Sequence, residues 1–144
     1  MTIRDYIDRA AASRAKAPAQ KFYRNGRMVT RTYAEFRSSI IRVSALVHDL
    51  RLVPGRDIVA LMLENCPEWE EIYLGLSSVG FTVVPMDPKL KEGETRHILS
   101  DSGARAIFAG ARQVGTVAAI AGHLPDLGIC VSLGTVQDKP DLGK

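Results

Sequence analysis

A chain of 144 residues, 46% hydrophobic and 24% charged, has the composition of a soluble globular domain long enough to bury a core, which argues against general disorder. No stretch nears the ~20 uninterrupted apolar residues of a membrane-spanning helix, and Asp5, Asp8 and Arg9 interrupt the N-terminus where a signal peptide's apolar region would lie, so a cytoplasmic location is the default expectation. The net charge of +3 is uneven, residues 1–60 holding 12 Lys/Arg against 5 Asp/Glu and residues 61–144 holding 7 against 11. Such asymmetry can mark nucleic-acid contact, but Arg4, Arg9, Arg14, Lys21, Arg24, Arg27 and Arg31 are spaced out, which fits a solvated basic face or one covered by a partner segment.

Residues 3–14 place Ile3, Tyr6, Ile7, Ala10 and Ala11 at helical spacing behind Thr2, a possible N-cap, and predict a short amphipathic helix. Two brief strands follow, 21–24 and 28–31, around Asn25-Gly26; both turn residues tolerate positive φ, so a β-hairpin is expected. Thr32 to Glu35 is a capping box that opens a long helix, with Phe36, Ile40, Val43, Val47 and Leu50 along one face and Pro54-Gly55 as its stop. The apolar run 58–63 then has the pattern of a strand covered on both faces, which implies a parallel sheet. Asn65 and Cys66 precede a helix in which Pro67 suits the first turn and Glu68, Glu70 and Glu71 complement the positive end of the dipole; Trp69, Ile72, Tyr73 and Leu76 form its buried stripe and Gly80 closes it. Alternation continues with strand 82–86, helix 92–100, strand 105–109, helix 113–124 and strand 129–133. Successive βα units predict an α/β fold, a mostly parallel doubly wound sheet flanked by helices and preceded by a short helix and a hairpin. Residues 1–133 are expected to form this subdomain, and the polar stretch 134–144 a linker or cut end.

Sheets of this kind bind ligands at the carboxyl ends of their strands. The loops there are plain: Glu64-Asn65-Cys66-Pro67, Asp87-Pro88-Lys89 and Gly110-Ala111-Arg112 contain neither G-x-G-x-x-G nor G-x-x-x-x-G-K-[ST]. Asn65 reads as a helix cap rather than an anion contact, and Cys66 has no partner base to make it a nucleophile; Cys66 and Cys130, far apart and in no Cys-x-x-Cys pair, read as reduced, packed thiols. His48, His97 and His123 form no ligand cluster, so no metal residue is assigned. The Glu68, Glu70 and Glu71 group reads as a solvated first turn, and Phe22, Tyr23, Tyr33 and Phe36 as core and hairpin packing rather than a base-stacking platform.

Six short words nevertheless stand in a fixed order: Thr32-Tyr33-Ala34-Glu35-Phe36; Asp57 through Leu63; Asn65-Cys66-Pro67-Glu68; Tyr73-Leu74-Gly75 with Gly80; Val83 through Pro88; and Ile98 through Ala104. In sequence and spacing, residues 32–109 resemble the N-terminal subdomain of the adenylate-forming superfamily, which includes acyl- and aryl-CoA synthetases, luciferases and peptide-synthetase adenylation domains. The words look like that family's TYxEL, GDxVAxxL, N-[CS]-P-E and xVPLxP patterns. One departure is Gly55-Arg56-Asp57, where Arg56 takes the usual glycine position.

The resemblance implies an AMP-forming acyl-CoA synthetase as the parent enzyme, with ATP, Mg and CoA as its cofactors and a carboxylate, a fatty acid by general likeness, as its substrate. In that family a carboxylate attacks the α-phosphate of Mg-ATP, and the acyl-adenylate then passes its acyl group to a thiol. A Ser/Thr/Gly-rich phosphate loop, acidic residues for ribose and metal, and a lysine on a C-terminal domain support this chemistry. None of those motifs occurs in this sequence, and Lys144 is merely its last residue. Residues 1–144 are therefore expected to be inactive alone, with no catalytic, cofactor-binding or metal residue. They would pair with the enzyme's remaining subdomains, bind no nucleic acid and form a possible homo-oligomer. The alternative reading is a non-catalytic Rossmann-like binding or assembly module.

Overall fold

Local signals fix the ends of most elements. In the computed structural model, which describes residues 1–134, helix α1 (Ile3–Ser13) starts at Thr2, whose hydroxyl accepts from the Asp5 amide at 3.2 Å while the Asp5 carboxylate accepts from the Thr2 amide at 2.7 Å. Strands β1 (Pro18–Arg24) and β2 (Arg27–Thr32) pair antiparallel, longer than the sequence suggested, around Asn25 and Gly26 at φ 53° and 74°. Two consecutive positive φ angles match the two-residue turn whose twist suits a hairpin. Helix α2 (Tyr33–Asp49) begins with the expected capping box, Thr32 and Glu35 exchanging bonds of 2.8 and 3.3 Å.

The end of α2 differs from expectation. It stops at Leu50, four residues before Pro54, because Arg51 adopts φ 58°; the Arg51 amide donates to His48 O at 2.9 Å and the Leu52 amide to Val47 O at 3.1 Å. This pair of bonds is a Schellman closure with arginine in the glycine position.

The described chain divides into two units. The first comprises Met1–Pro54 and Cys66–Gly80, hence α1, the hairpin, α2 and helix α3 (Pro67–Ser78). Ile40, Val47, Ile72 and Leu76 are its most buried aliphatic side chains. Gly75 is there because a Cβ would stand 2.6 Å from Val43 Cβ and 3.0 Å from Ile40 O, so α2 and α3 meet backbone to side chain with no space between them. Ile3 and Tyr6, on the apolar stripe of this amphipathic helix, are 44% and 63% exposed; within α1 only Ala11 is buried.

The second unit comprises Gly55–Asn65 and the chain from Phe81 onward. It contains strands β3 (Ile58–Met62), β4 (Thr82–Pro85), β5 (Ala106–Gly110) and β6 (Ile129–Leu133), all parallel, in the order β4-β3-β5-β6. Between them run α4 (Glu92–Ser102), α5 (Ala111–Ile120) and a 3-10 turn, Ala121–His123. From β3 the chain winds one way to β4 and the other way to β5 and β6, the doubly wound order. Ala60, Met62, Ile107 and Ala109 pack with Leu99, Val114, Val117 and Ile120 as one core. Val59, Leu61 and Phe108 are equally buried, which is why β3 and β5 are apolar without alternation. The fold class is thus the expected α/β one, a parallel sheet flanked by helices with a helix and hairpin before it. Of the stretch 134–144 read as a linker, only Gly134 lies among the described residues.

Candidate functional site

The strand order places the reversal of winding between β3 and β5, and the crevice outside their carboxyl ends is where such sheets take ligands. Three loops meet there: Leu63-Glu64 after β3, Asp87-Pro88 after β4, and Gly110 to Gln113, where β5 turns directly into α5. The sequence reading treated Gly110-Ala111-Arg112 as a loop; instead Gly110 ends the strand and caps the helix.

Gln113 joins the three. It is 5% exposed, its Nε2 donates to Pro88 O at 3.2 Å and reaches Glu64 Oε1 at 3.5 Å, and Arg112 Nη1 stands 3.9 Å from the same carboxylate oxygen. Gln113 Oε1 is buried with no hydrogen-bond partner, 2.5 Å from where a Cβ of Gly110 would lie. The space that Gly110 leaves is filled by this amide, so it is not an open cradle for a phosphate. The neighbouring Asp87 carboxylate accepts from the Lys89 amide at 2.8 Å and closes its own turn. Among the described residues no group of three or more His, Cys, Asp or Glu could hold a metal ion. These residues therefore do not fit Mg-ATP by themselves, and no step through it is assigned to them.

The first unit holds the chain's main charge cluster. Arg24 bonds Glu68; Arg31 bonds Glu71 and lies 3.5 Å from Glu68; Gln20 Nε2 donates to Glu70 at 2.9 Å and to Pro67 O at 3.2 Å. Both guanidiniums also stack on Phe22, at 5.2 and 5.1 Å from its ring centre. This corrects the reading of the three glutamates as a solvated turn: Glu71 is 7% exposed, and the group fastens the hairpin to α3. Burial is the largest influence on Glu71 and holds its pKa above the usual value despite Arg31. Burial also pushes on Glu68, but the Arg24 bond, its own amide and the charges of Arg24 and Arg31 leave it lowered. Asp8 is likewise lowered, by Arg37 at 2.6 Å and Arg4 at 3.0 Å. Much of the N-terminal positive charge is thus paired within the chain.

Cys66, not Asn65, is the cap residue of α3, and it makes no side-chain capping bond. Burial raises its thiol pKa, and the Glu68 charge adds to that; Cys130 is raised by burial as well. Neither is a thiolate nucleophile. Tyr23 was expected to pack and is 74% exposed, opposite Met28 at 53%. His48 is exposed, while His97 and His123 face one groove with Arg96 and Ser100. Sequence reasoning assigned no site residue and had no signal for Gln113, since a glutamine in a helix is ordinarily solvated.

The arrangement defines a doubly wound α/β scaffold with an amide fastened into the crevice at its winding reversal, and the comparisons assign the chain to a family. The chain belongs to the AMP-binding enzyme family, whose profile matches residues 7–143. It is similar to human long-chain fatty acid transport protein 1, 33% identical over 93 residues, 65% of this chain and 14% of that protein. It is also similar to a crotonobetaine/carnitine–CoA ligase of Salmonella paratyphi A, 35% identical over 81 residues, 56% of this chain and 16% of the ligase. In fold it is similar to a fatty acyl CoA synthetase of Mycobacterium tuberculosis, with TM-score 0.82, 24% identity and coverage of 92% of this chain and 26% of that one. An anthranilate CoA ligase in complex with anthranoyl-AMP gives TM-score 0.81 at 24% identity, covering 93% and 25%. The chain spans about one sixth of the length of the curated relatives it matches.

Proposed function

We propose that residues 1–144 form the opening subdomain of an ATP-dependent acyl-CoA synthetase, acting on a fatty or related carboxylic acid and inactive without the rest of that enzyme. The parent would adenylate the carboxylate with Mg-ATP and then transfer the acyl group to CoA. The family match and the CoA ligases among its relatives support this reading. The observation that carries the division of labour is the Gln113 fastening: at the winding reversal the Gln113 amide fills the space beside Gly110 and bonds Pro88 and Glu64, and these residues offer neither a donor set for a pentavalent phosphate nor an acid–base pair. Its part is therefore to hold a wall on which other segments place reactive groups. A free-standing binding module is the alternative, and the family match disfavours it.

Carboxylate-dependent ATP–pyrophosphate exchange tests the proposal. The 144-residue chain is expected to give none, and the coding sequence continued past residue 144 is expected to supply a phosphate loop and restore exchange. Exchange by the 144-residue chain alone rejects the scaffold role.

A further inference from the structure

One groove in the second unit is lined by polar groups that the fold does not use. It has a volume of about 370 Å³ and is bordered by Gly93, Arg96, His97 and Ser100 of α4 and by His123 of the 3-10 turn after α5. The four α4 residues follow the spacing i, i+3, i+4 and i+7, so they form one continuous face, and the end of α5 brings His123 against it. All five are exposed. Among the described residues, Arg96, His97, Ser100 and His123 make no side-chain hydrogen bond or ion pair, whereas Arg24, Arg31, Arg37 and Arg56 are each spent on a carboxylate. No carboxylate lines the groove; Glu92, Glu94 and Asp101 on α4 and Asp126 beyond the turn lie outside its lining.

We propose that this groove binds a phosphate group, as the free anion or as a small phosphate monoester. The argument is one of matched chemistry. A permanently charged guanidinium, two imidazoles able to donate and a hydroxyl line one groove with no carboxylate in its lining, a donor set from which a phosphate's oxygens can accept. A divalent cation is disfavoured by the same Arg96, and fewer than three ligands are present. The volume is that of a small-molecule site rather than a track for a polymer. This inference does not rest on the synthetase reading, because none of the residues lining the groove belongs to the Gln113 crevice.

The chain contains three histidines, so their ring-proton resonances form a simple NMR readout with His48, 90% exposed, as internal reference. The 144-residue chain is titrated with inorganic phosphate and, separately, glycerol phosphate, at fixed pH and with ionic strength matched by chloride. Saturable shifts of His97 and His123 are expected while His48 stays still. Arg96→Gln is expected to weaken binding about tenfold, the loss of one charge-assisted contact. Gly93→Asp is expected to abolish it by placing a carboxylate at the rim, where a Cβ meets nothing within 4 Å and the fold is undisturbed. Tighter binding of glycerol phosphate identifies an ester ligand, and equal binding identifies the free anion. Common, unsaturating movement of all three histidines overturns the proposal. So does saturable binding that survives both substitutions unchanged.

Discussion

Arg51 and Gly75 show opposite faces of the same rule about side chains and space. Arg51 holds φ 58°, a conformation costing an L-residue roughly 1–2 kcal/mol that glycine avoids, at the price of about 0.5–1 kcal/mol in chain entropy. Its side chain makes no hydrogen bond or ion pair among the described residues, so little is lost by removing it. Arg51→Gly is expected to raise stability by about 0.5 kcal/mol and the melting temperature by about 2 °C, measured by thermal denaturation; a lower melting temperature would show that the side chain contributes more than its backbone costs. Gly75→Ala runs the other way. Alanine gains about 1 kcal/mol of helix propensity, but a Cβ 2.6 Å from Val43 and 3.0 Å from a carbonyl of α2 forces the helices apart. Overpacking of this kind costs about 1–3 kcal/mol, so net destabilisation is expected in urea titration, and Val43→Ala in the same chain should recover much of it.

At the scale of elements, the hairpin's attachment to α3, the caps of α1 and α2 and the Asp8 ion pairs together carry the pH dependence. Glu71, raised in the folded state by burial, contributes stability that is fully present below its unfolded value near 4.5 and is lost as pH rises through the folded value. Glu68, Glu35, Asp8 and Asp5 are lowered, so their contributions are present above unfolded values near 4.5 or 3.8 and are lost as pH falls through the folded ones. The wild-type chain is therefore expected to gain stability as pH drops toward 4.5 and to lose it below. Glu71→Gln should flatten the first limb and keep the second; urea midpoints across pH that run parallel for both proteins would contradict this assignment. The elements themselves were legible in sequence wherever the signal is local: the Thr2 cap of α1, the capping box of α2 between Thr32 and Glu35, the Asn25-Gly26 turn and the apolar run of β3. What stayed hidden depends on partners distant in the chain. Nothing near Glu71 announces Arg31, forty residues away. The end of α2 was misplaced because Pro54 is a louder signal than an arginine with positive φ, and Cys66 displaced Asn65 as the cap of α3.

For the molecule as a whole, family membership was readable from six ordered words because the spacing of strand, turn and helix is itself the family's signature. The candidate site was not, since its fastening residue is a glutamine whose importance appears only when three strand ends converge. Exchange activity is expected to stay absent even when Gln113→Ala opens the crevice, because emptying that space adds no phosphate donor; ATP–pyrophosphate exchange by this variant alone would locate reactive groups inside residues 1–144. Exposed Tyr23, Met28, Ile3 and Tyr6 are apolar surface of the kind that further subdomains would cover, and uptake of a hydrophobic dye by the purified chain measures it.

The Asn25-Gly26 turn sets how this protein ages. A glycine after asparagine presents a backbone nitrogen with no side chain of its own to shield it, and both turn residues are exposed. Attack of that nitrogen on the asparagine amide expels ammonia and leaves a cyclic imide, which reopens mostly to an isoaspartyl linkage with an extra methylene in the main chain. A two-residue connection has no slack to absorb it, so slow chemical damage in stored samples would begin at the hairpin tip.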